Sequence, residues 1–335
     1  MAPTRRVAII QWNIKVHNTS SPPRITPHSN NPRTSPSTRT TKQHAPTSVM
    51  PHPKAPNWPF SQSTTTPSYL PPQLHTHSQI PKPRYHLTGW APSNPTWTAL
   101  ASKITPYLEA YQSLARELNI CIVPGTIVEH HGPSPNEQEQ DQPLLYNTAY
   151  FISNDGSILG HYRKKNIWHP ERPYLTSSGS DPHEVFDTPI GKVGLLICWD
   201  LAFPEAFREL ICKGAEVVVI PTYWSKYDAS PAALQHNPNS EALFLETTLT
   251  ARCFENTCGI IFANVARGKE DESDRFLGLS RVCLPIVGTV GAMGDEEGVL
   301  VVDMDMGVVR IAEENYRVRE DLAKEGWYYT YRHQR

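Results

Sequence analysis

Acidic side chains are missing from the first third of this 335-residue chain: no aspartate or glutamate precedes Glu109. No carboxylate-type general base can come from that part. Also missing is any run near the ~18 apolar residues that span a membrane. The opening MAPTRRVAIIQWNIKV has neither the apolar core nor the cleavage site of a secretory signal. A cytoplasmic protein with no membrane attachment is expected. The six cysteines, at 121, 198, 212, 253, 258 and 283, make no CxxC pair. Free thiols in a reducing compartment are therefore expected, rather than a disulfide framework or a close-spaced metal site. The net charge of -2 is too small for a general pull on nucleic acid. There is no GKS or GKT phosphate loop, and GTVGAMG at 288–294 lacks the strand-to-helix setting of a dinucleotide fingerprint.

What is present is unevenly spread. Hydrophobic residues at 39% and charged residues at 19% suit a soluble globular body with a sizeable core. From 17 to 84, however, Pro, Ser, Thr, His and Asn dominate, as in SSPPRITPHSNNPRTSPSTRTT. Apolar burial there cannot offset the ordering entropy of the backbone, and the prolines forbid a continuous helix or central strand. That segment is expected to be disordered. It separates a first strand within 1–16 from an ordered body over 85–325, and 326–335 reads as a tail.

Val7 to Trp12 is a short apolar strand candidate. A helix is expected from Thr105-Pro106, with Leu108, Tyr111, Leu114, Ala115 and Leu118 at helical spacing and Asn119 closing it. Ile120 to Val128 reads as a buried strand. Leu145 to Ile152 and Ser157 to Tyr162 flank Asn154-Asp155-Gly156, a strong hairpin signal. Further strands are expected at 183–187, 192–197, 216–220, 259–263, 282–286, 298–303 and 308–311. Helices are expected at 204–212, 240–256 and 313–324. The nearly all-apolar run at 216–220 marks a sheet interior covered on both faces. Strands alternating with helices and hairpins predict a layered α/β domain with mixed sheets.

The chemistry concentrates where one of these strands ends. Gly194-Leu-Leu-Ile-Cys-Trp-Asp200 places Cys198 between an apolar strand and the helix opening near Pro204. A side chain there projects into the crevice at the carboxyl end of the sheet, where backbone N–H groups can receive developing negative charge. A lone cysteine is otherwise an inert core residue. To act as a nucleophile it needs a neighbouring cation or acid–base partner. Arg163-Lys164-Lys165 and then Trp168-His169-Pro170-Glu171 supply an ammonium, an imidazole and a carboxylate. An ammonium and a proton-relaying carboxylate beside a thiol support acyl transfer; His169 is a rival base.

Lys164, Glu171 and Cys198 with their flanks resemble the carbon–nitrogen hydrolase (nitrilase) superfamily. The stretches that carry the resemblance are Val7-Ala-Ile-Ile-Gln11, Tyr162-Arg-Lys164, the Cys198 segment, Phe203-Pro-Glu205, Phe207-Arg208 and Gly214-Ala215. Ala251-Arg252, Glu255-Asn256, Ala263-Asn264, Gly278-Leu-Ser280 and Pro285 follow in the family's order. The resemblance implies a four-layer α-β-β-α sandwich that assembles as a homodimer or higher homo-oligomer. It also implies a Glu-Lys-Cys triad with no metal or organic cofactor. Carried over by position, Cys198 is the nucleophile and Lys164 stabilises the oxyanion with a backbone N–H near Trp199. Glu171 is the second glutamate, which positions substrate or water and helps proton transfer. Glu205, Arg208, Arg252, Glu255 and Asn256 have structural roles. Trp168, His169, Tyr174, Trp199, Tyr223 and Trp224 are candidates for the substrate pocket, although core packing also accounts for such aromatics.

The resemblance fails at one point. The first catalytic glutamate should stand in a Pro-Glu-Tyr segment, and here Pro83-Arg84-Tyr85 occupies its place. The amphipathic helix and strand expected between the first strand and this point are replaced by the Pro/Ser/Thr-rich tract. This implies that 17–84 does not represent the sequence of a working family member, for instance through an intron read as coding. Asp200 and Phe203-Pro204-Glu205 point to the amidase and carbamoylase branches. The expectation is hydrolysis of a small amide or carbamoyl compound through a Cys198 acyl-enzyme, with release of ammonia. The alternatives are a nitrilase acting on small nitriles and a catalytically impaired scaffold lacking the first glutamate.

Overall fold

In a computed structural model of the chain, residues 4–11, 104–131, 144–267 and 275–327 are described. The segment 17–84, Arg84 and the end of the tail lie outside the described residues. All described residues belong to one compact unit.

The central sheet has six strands: β5 (Val185–Thr188), β6 (Gly191–Leu195), β7 (Val217–Pro221), β8 (Gly259–Ala263), β9 (Arg281–Leu284) and β10 (Gly288–Ala292). They lie side by side in the order β10-β9-β8-β7-β6-β5. The pairs β6–β7 and β7–β8 are parallel and the others antiparallel. Every residue of β7 is buried, as a strand covered on both faces requires. One cover is a three-stranded antiparallel sheet of β2 (Thr126–His131), β3 (Leu144–Ile152) and β4 (Ile158–Arg163). Its inner side chains Ala149, Phe151 and Tyr162 join Phe186, Val193 and Leu195 in the main core. A ribbon of β1 (Thr4–Gln11) and antiparallel β11 (Gly298–Asp305) adds Ile9, Val302 and Met304 to the same core.

Helices close the two outer faces. Helix α1 (Ile104–Leu118) lays Tyr111 and Ala115 against Ile152 on the outside of the small sheet. On the far side of the large sheet, α2 (Pro204–Cys212) and α4 (Ser240–Asn256) contribute Phe207, Leu210, Leu245, Leu249 and Cys253. The short α3 (Pro231–His236) precedes α4. The result is the expected α-β-β-α sandwich.

The sheets approach closely where Gly160 on β4 meets Phe186 on β5. A Cβ at Gly160 would overlap the Phe186 ring, which is itself buried in the main core. Gly160→Ala is therefore expected to destabilise the fold by about 1–3 kcal/mol through overpacking. The check is the denaturant midpoint; an unchanged midpoint would mean that Phe186 moves aside freely.

Three expected elements differ from the sequence reading, and β10 and α3 have no counterpart in it. Val308–Ile311 is not a strand but part of α5 (Met306–Tyr316). The Asp305 carboxylate accepts from the Gly307 N–H at 2.8 Å, and Met306, Val309 and Ala312 bury one helical face. That cap and periodicity override the β-branched composition. The expected helix over 313–324 is instead the end of α5 and a separate α6 (Val318–Leu322), parted by Arg317 at φ 51°. Only the end of the expected 120–128 strand lies in β2, because Pro124 and Gly125, at φ 95°, interrupt it. Ile122 keeps one isolated bridge to Ile152.

Candidate active site

Lys164 follows the last residue of β4, and its N–H continues the ladder to the Asn147 carbonyl at 2.8 Å. Strand alternation sends neighbouring side chains to opposite faces. Arg163 goes outward, over the Tyr146 ring at 4.8 Å, and Lys164 goes inward, where it is fully buried. A buried ammonium needs a partner. Lys164 Nζ donates to Glu171 Oε2 at 2.5 Å, and the Trp168 N–H donates to the same oxygen at 3.1 Å. Burial pushes the Glu171 carboxyl up to about 8. It also lowers Lys164 from the ordinary lysine range, against the charges of Cys198, Asp200 and Asp228.

Cys198 opens a 3-10 turn, Cys198–Ala202, just beyond β6. Its φ of 48° lies in the left-handed region, an uncommon and mildly strained state for a residue with a Cβ. The residue is half-buried, open to a cleft on one side and enclosed on the others. Its Sγ donates to the Tyr223 carbonyl at 3.6 Å. Enclosure pushes the thiol up to about 12, and the Lys164 charge opposes the rise. At neutral pH the sulfur is therefore a thiol, and its proton must leave for it to attack.

Asp200, fully buried, ties these parts together. Its Oδ2 accepts from the Tyr162 hydroxyl and the Ile197 N–H, each at 2.9 Å. Its Oδ1 accepts from Asn166 N–H at 3.0 Å and Asn166 Nδ2 at 2.8 Å. The residues before Cys198 and those after Lys164 thus share one carboxylate.

The cleft holds about 220 Å³ and is lined by Trp168, Pro170, Glu171, Cys198, Trp199, Tyr223, Trp224, Tyr227, Asp228 and Arg275. Trp199 packs between Trp168 and Trp224, with ring centroids 4.3 and 5.6 Å away. Asn264 fixes the Trp224 backbone: its Oδ1 accepts from Trp224 N–H at 2.8 Å and its Nδ2 donates to Trp224 O at 3.1 Å.

Of the residues singled out from the sequence, Trp168, Glu171, Cys198, Trp199, Tyr223 and Trp224 line this cleft beside buried Lys164. His169 packs against Trp168 with tilted rings, centroids 4.2 Å apart, but is exposed. Tyr174 is also exposed; neither lines the cleft. Arg252 of α4 donates to the Leu201 and Ala202 carbonyls at 3.2 and 3.3 Å and pairs with Glu255 at 2.7 Å. Asn256 donates to the Arg252 carbonyl. Glu205 sits exposed in the first turn of α2, and Arg208 is half-buried on the same helix. Sequence reasoning missed Tyr227, Asp228 and Arg275. A signal for Asp228 existed: Ser225-x-x-Asp228 has the spacing of a capping box, and Asp228 does accept from Ser225 N–H.

Among the described residues no helix is long and apolar enough to cross a membrane. All six cysteines are free.

The carbon–nitrogen hydrolase profile matches residues 83–313. A probable nitrilase of Schizosaccharomyces pombe is 30% identical over 212 residues, covering 63% of this chain and 69% of that protein. The N-carbamoylputrescine amidase of Solanum lycopersicum is 29% identical over 233 residues, covering 64% and 70%. Among solved structures, a carbon–nitrogen hydrolase from Helicobacter pylori superposes with a TM-score of 0.56 at 24% identity, covering 68% of this chain and 76% of that one; this is a likeness of fold. The chain belongs to the carbon–nitrogen hydrolase family. That family is one of cysteine-nucleophile hydrolases of the amidase and nitrilase type, which act on carbon–nitrogen bonds.

Proposed function

We propose that this chain hydrolyses small linear amides or carbamoyl compounds, with residues 85–325 and the first strand forming the hydrolase domain. The observation that carries the reading is the fully buried Lys164 ammonium, held 2.5 Å from Glu171 and coupled in charge to Cys198 at one cleft. Cys198 Sγ adds to the carbonyl carbon while its proton passes to Glu171, and the Lys164 ammonium stabilises the oxygen that becomes negative. The tetrahedral adduct collapses, the nitrogen takes the proton and ammonia leaves. Water then cleaves the thioester, giving the acid and restoring the thiol. With Arg84 standing where the family's first glutamate is expected, Glu171 carries the proton in both halves.

A nitrile is the second substrate class open to the same thiol, supported by the likeness to the probable nitrilase. An inactive scaffold is the reading that Arg84 favours. One experiment separates all three: ammonia release from a panel of small amides, carbamoyl compounds and nitriles, with Cys198→Ala alongside. The amidase reading expects ammonia from amides at a rate that Cys198→Ala reduces to background. Ammonia from nitriles alone assigns the nitrilase, and identical rates for parent and variant on every compound assign the scaffold.

A further inference from the structure

The cleft also carries two charges, on Asp228 and Arg275, that the acyl-transfer steps do not use. Asp228 ends a short 3-10 turn, Lys226–Asp228, and is half-buried. Arg275 lies 47 residues further on yet belongs to the same wall, since Ser225 and Phe276 form an isolated bridge and Lys226 N–H donates to the Arg275 carbonyl at 2.9 Å. The Arg275 guanidinium stands 5.6 Å from the Phe276 ring centroid. That ring meets Tyr223, another cleft residue, edge-on at 5.2 Å. Among the described residues Arg275 makes no direct ion pair.

Asp228 also holds its own turn together, because its two carboxylate oxygens accept from Ser225 N–H and Ser225 Oγ, each at 2.9 Å. Each oxygen keeps a further lone pair, and the residue lines the cleft. Burial pushes its carboxyl up, while the charges of Arg275 and Lys164 oppose this. A donor cation arriving in the cleft favours the ionised form further.

An anionic and a cationic group on one wall suit neither a purely anionic nor a purely cationic substrate, because one of the two always repels it. They suit a substrate end carrying both signs on adjacent atoms. Trp168, Trp199, Tyr223 and Trp224 line the same cleft, and aromatic surroundings favour an ammonium. The cleft of about 220 Å³ lies below the ~300–1,000 Å³ of drug-sized sites, so the molecule is small. Resting on the amide or carbamoyl hydrolase reading above, we infer that the substrate is a small amino acid whose side chain ends in an amide or carbamoyl group. Its scissile carbon sits at Cys198, its α-ammonium at Asp228 and its α-carboxylate at Arg275.

The test compares four compounds of equal length on the parent enzyme: the free amino acid with a terminal amide, its N-acetyl derivative, its methyl ester, and the neutral amide lacking both head groups. Removing a charged hydrogen-bond partner should lower kcat/KM by about 10- to 100-fold for each blocked derivative. The loss should appear mainly in KM, because the head group takes no part in the bonds made and broken. In Arg275→Gln the ratio between acid and ester should fall towards one while the N-acetyl penalty persists. In Asp228→Asn, which keeps one acceptor for the Ser225 turn, the N-acetyl penalty should shrink. If the neutral amide is hydrolysed as well as the free amino acid, the inference is overturned and the hydrolase reading stands. If no compound releases ammonia faster with the parent than with Cys198→Ala, the hydrolase reading falls and this inference with it.

Discussion

Asp200→Ala is expected to cost about 3–5 kcal/mol of stability, the range seen when a buried charged partner is removed from its network. The variant would strand four donors at once: the Tyr162 hydroxyl, the Ile197 N–H and both nitrogens of Asn166. No water replaces the carboxylate easily at a site with no solvent exposure. Against a total stability of roughly 5–15 kcal/mol, that loss threatens folding itself. Asp200→Asn keeps the shape but has one acceptor oxygen where the carboxylate has two, so two of the four donors would face an NH2 group. It should lose roughly half as much and remain folded, which allows its kinetics to be read. Its kcat should then fall more than its KM rises, because the network sets the position of Cys198 relative to Lys164. Denaturant midpoints with kinetic parameters for both variants provide the check. A fully stable Asp200→Ala would show that the turn around Cys198 holds without its anchor.

The same residue shows what a sequence can and cannot disclose. Asp200 is visible as a neighbour of Cys198, but its bonds to Asn166 and Tyr162 span 34 and 38 positions, and no local pattern encodes them. Elements whose periodicity is local were readable to the residue: α2 at 204–212, α4 at 240–256 and β8 at 259–263 match their expected limits. Where composition and capping disagreed, composition misled. The Val-Val-Arg-Ile run of α5 has strand-forming residues, yet the Asp305 cap and tertiary burial of Met306, Val309 and Ala312 make it helical. The place of Cys198 at a strand end beside the cleft was legible, but its left-handed backbone was not, because nothing at Cys198 is a glycine. Asp228 carried a local capping signal but Arg275 none, and that both face the cleft was illegible for a third reason: only the bridge between Ser225 and Phe276 sets them on one wall. Arg84, the sharpest departure from the family pattern, was read from sequence and lies outside the described residues.

The rate on the preferred amide should climb with pH and level off near 8 if Glu171 carries the proton. A carboxylate acts as a base only when ionised, and burial holds Glu171 protonated up to about 8. Each pH unit below that point removes about tenfold of the active form, so kcat/KM should fall about tenfold per unit on the acid side. The Cys198 thiol does not produce this limb, because enclosure pushes it up to about 12, beyond the range of the assay. On the alkaline side the rate should fall again as the Lys164 ammonium loses its proton, below the ordinary lysine range because burial disfavours its charge. Glu171→Gln removes the base and should abolish the acid limb together with about 10²–10⁴ of the rate. Lys164 then loses its partner at 2.5 Å, so the residual alkaline limb should move to lower pH. A Glu171→Gln enzyme that keeps both its rate and its acid limb would take the proton away from Glu171 and require another group to carry it.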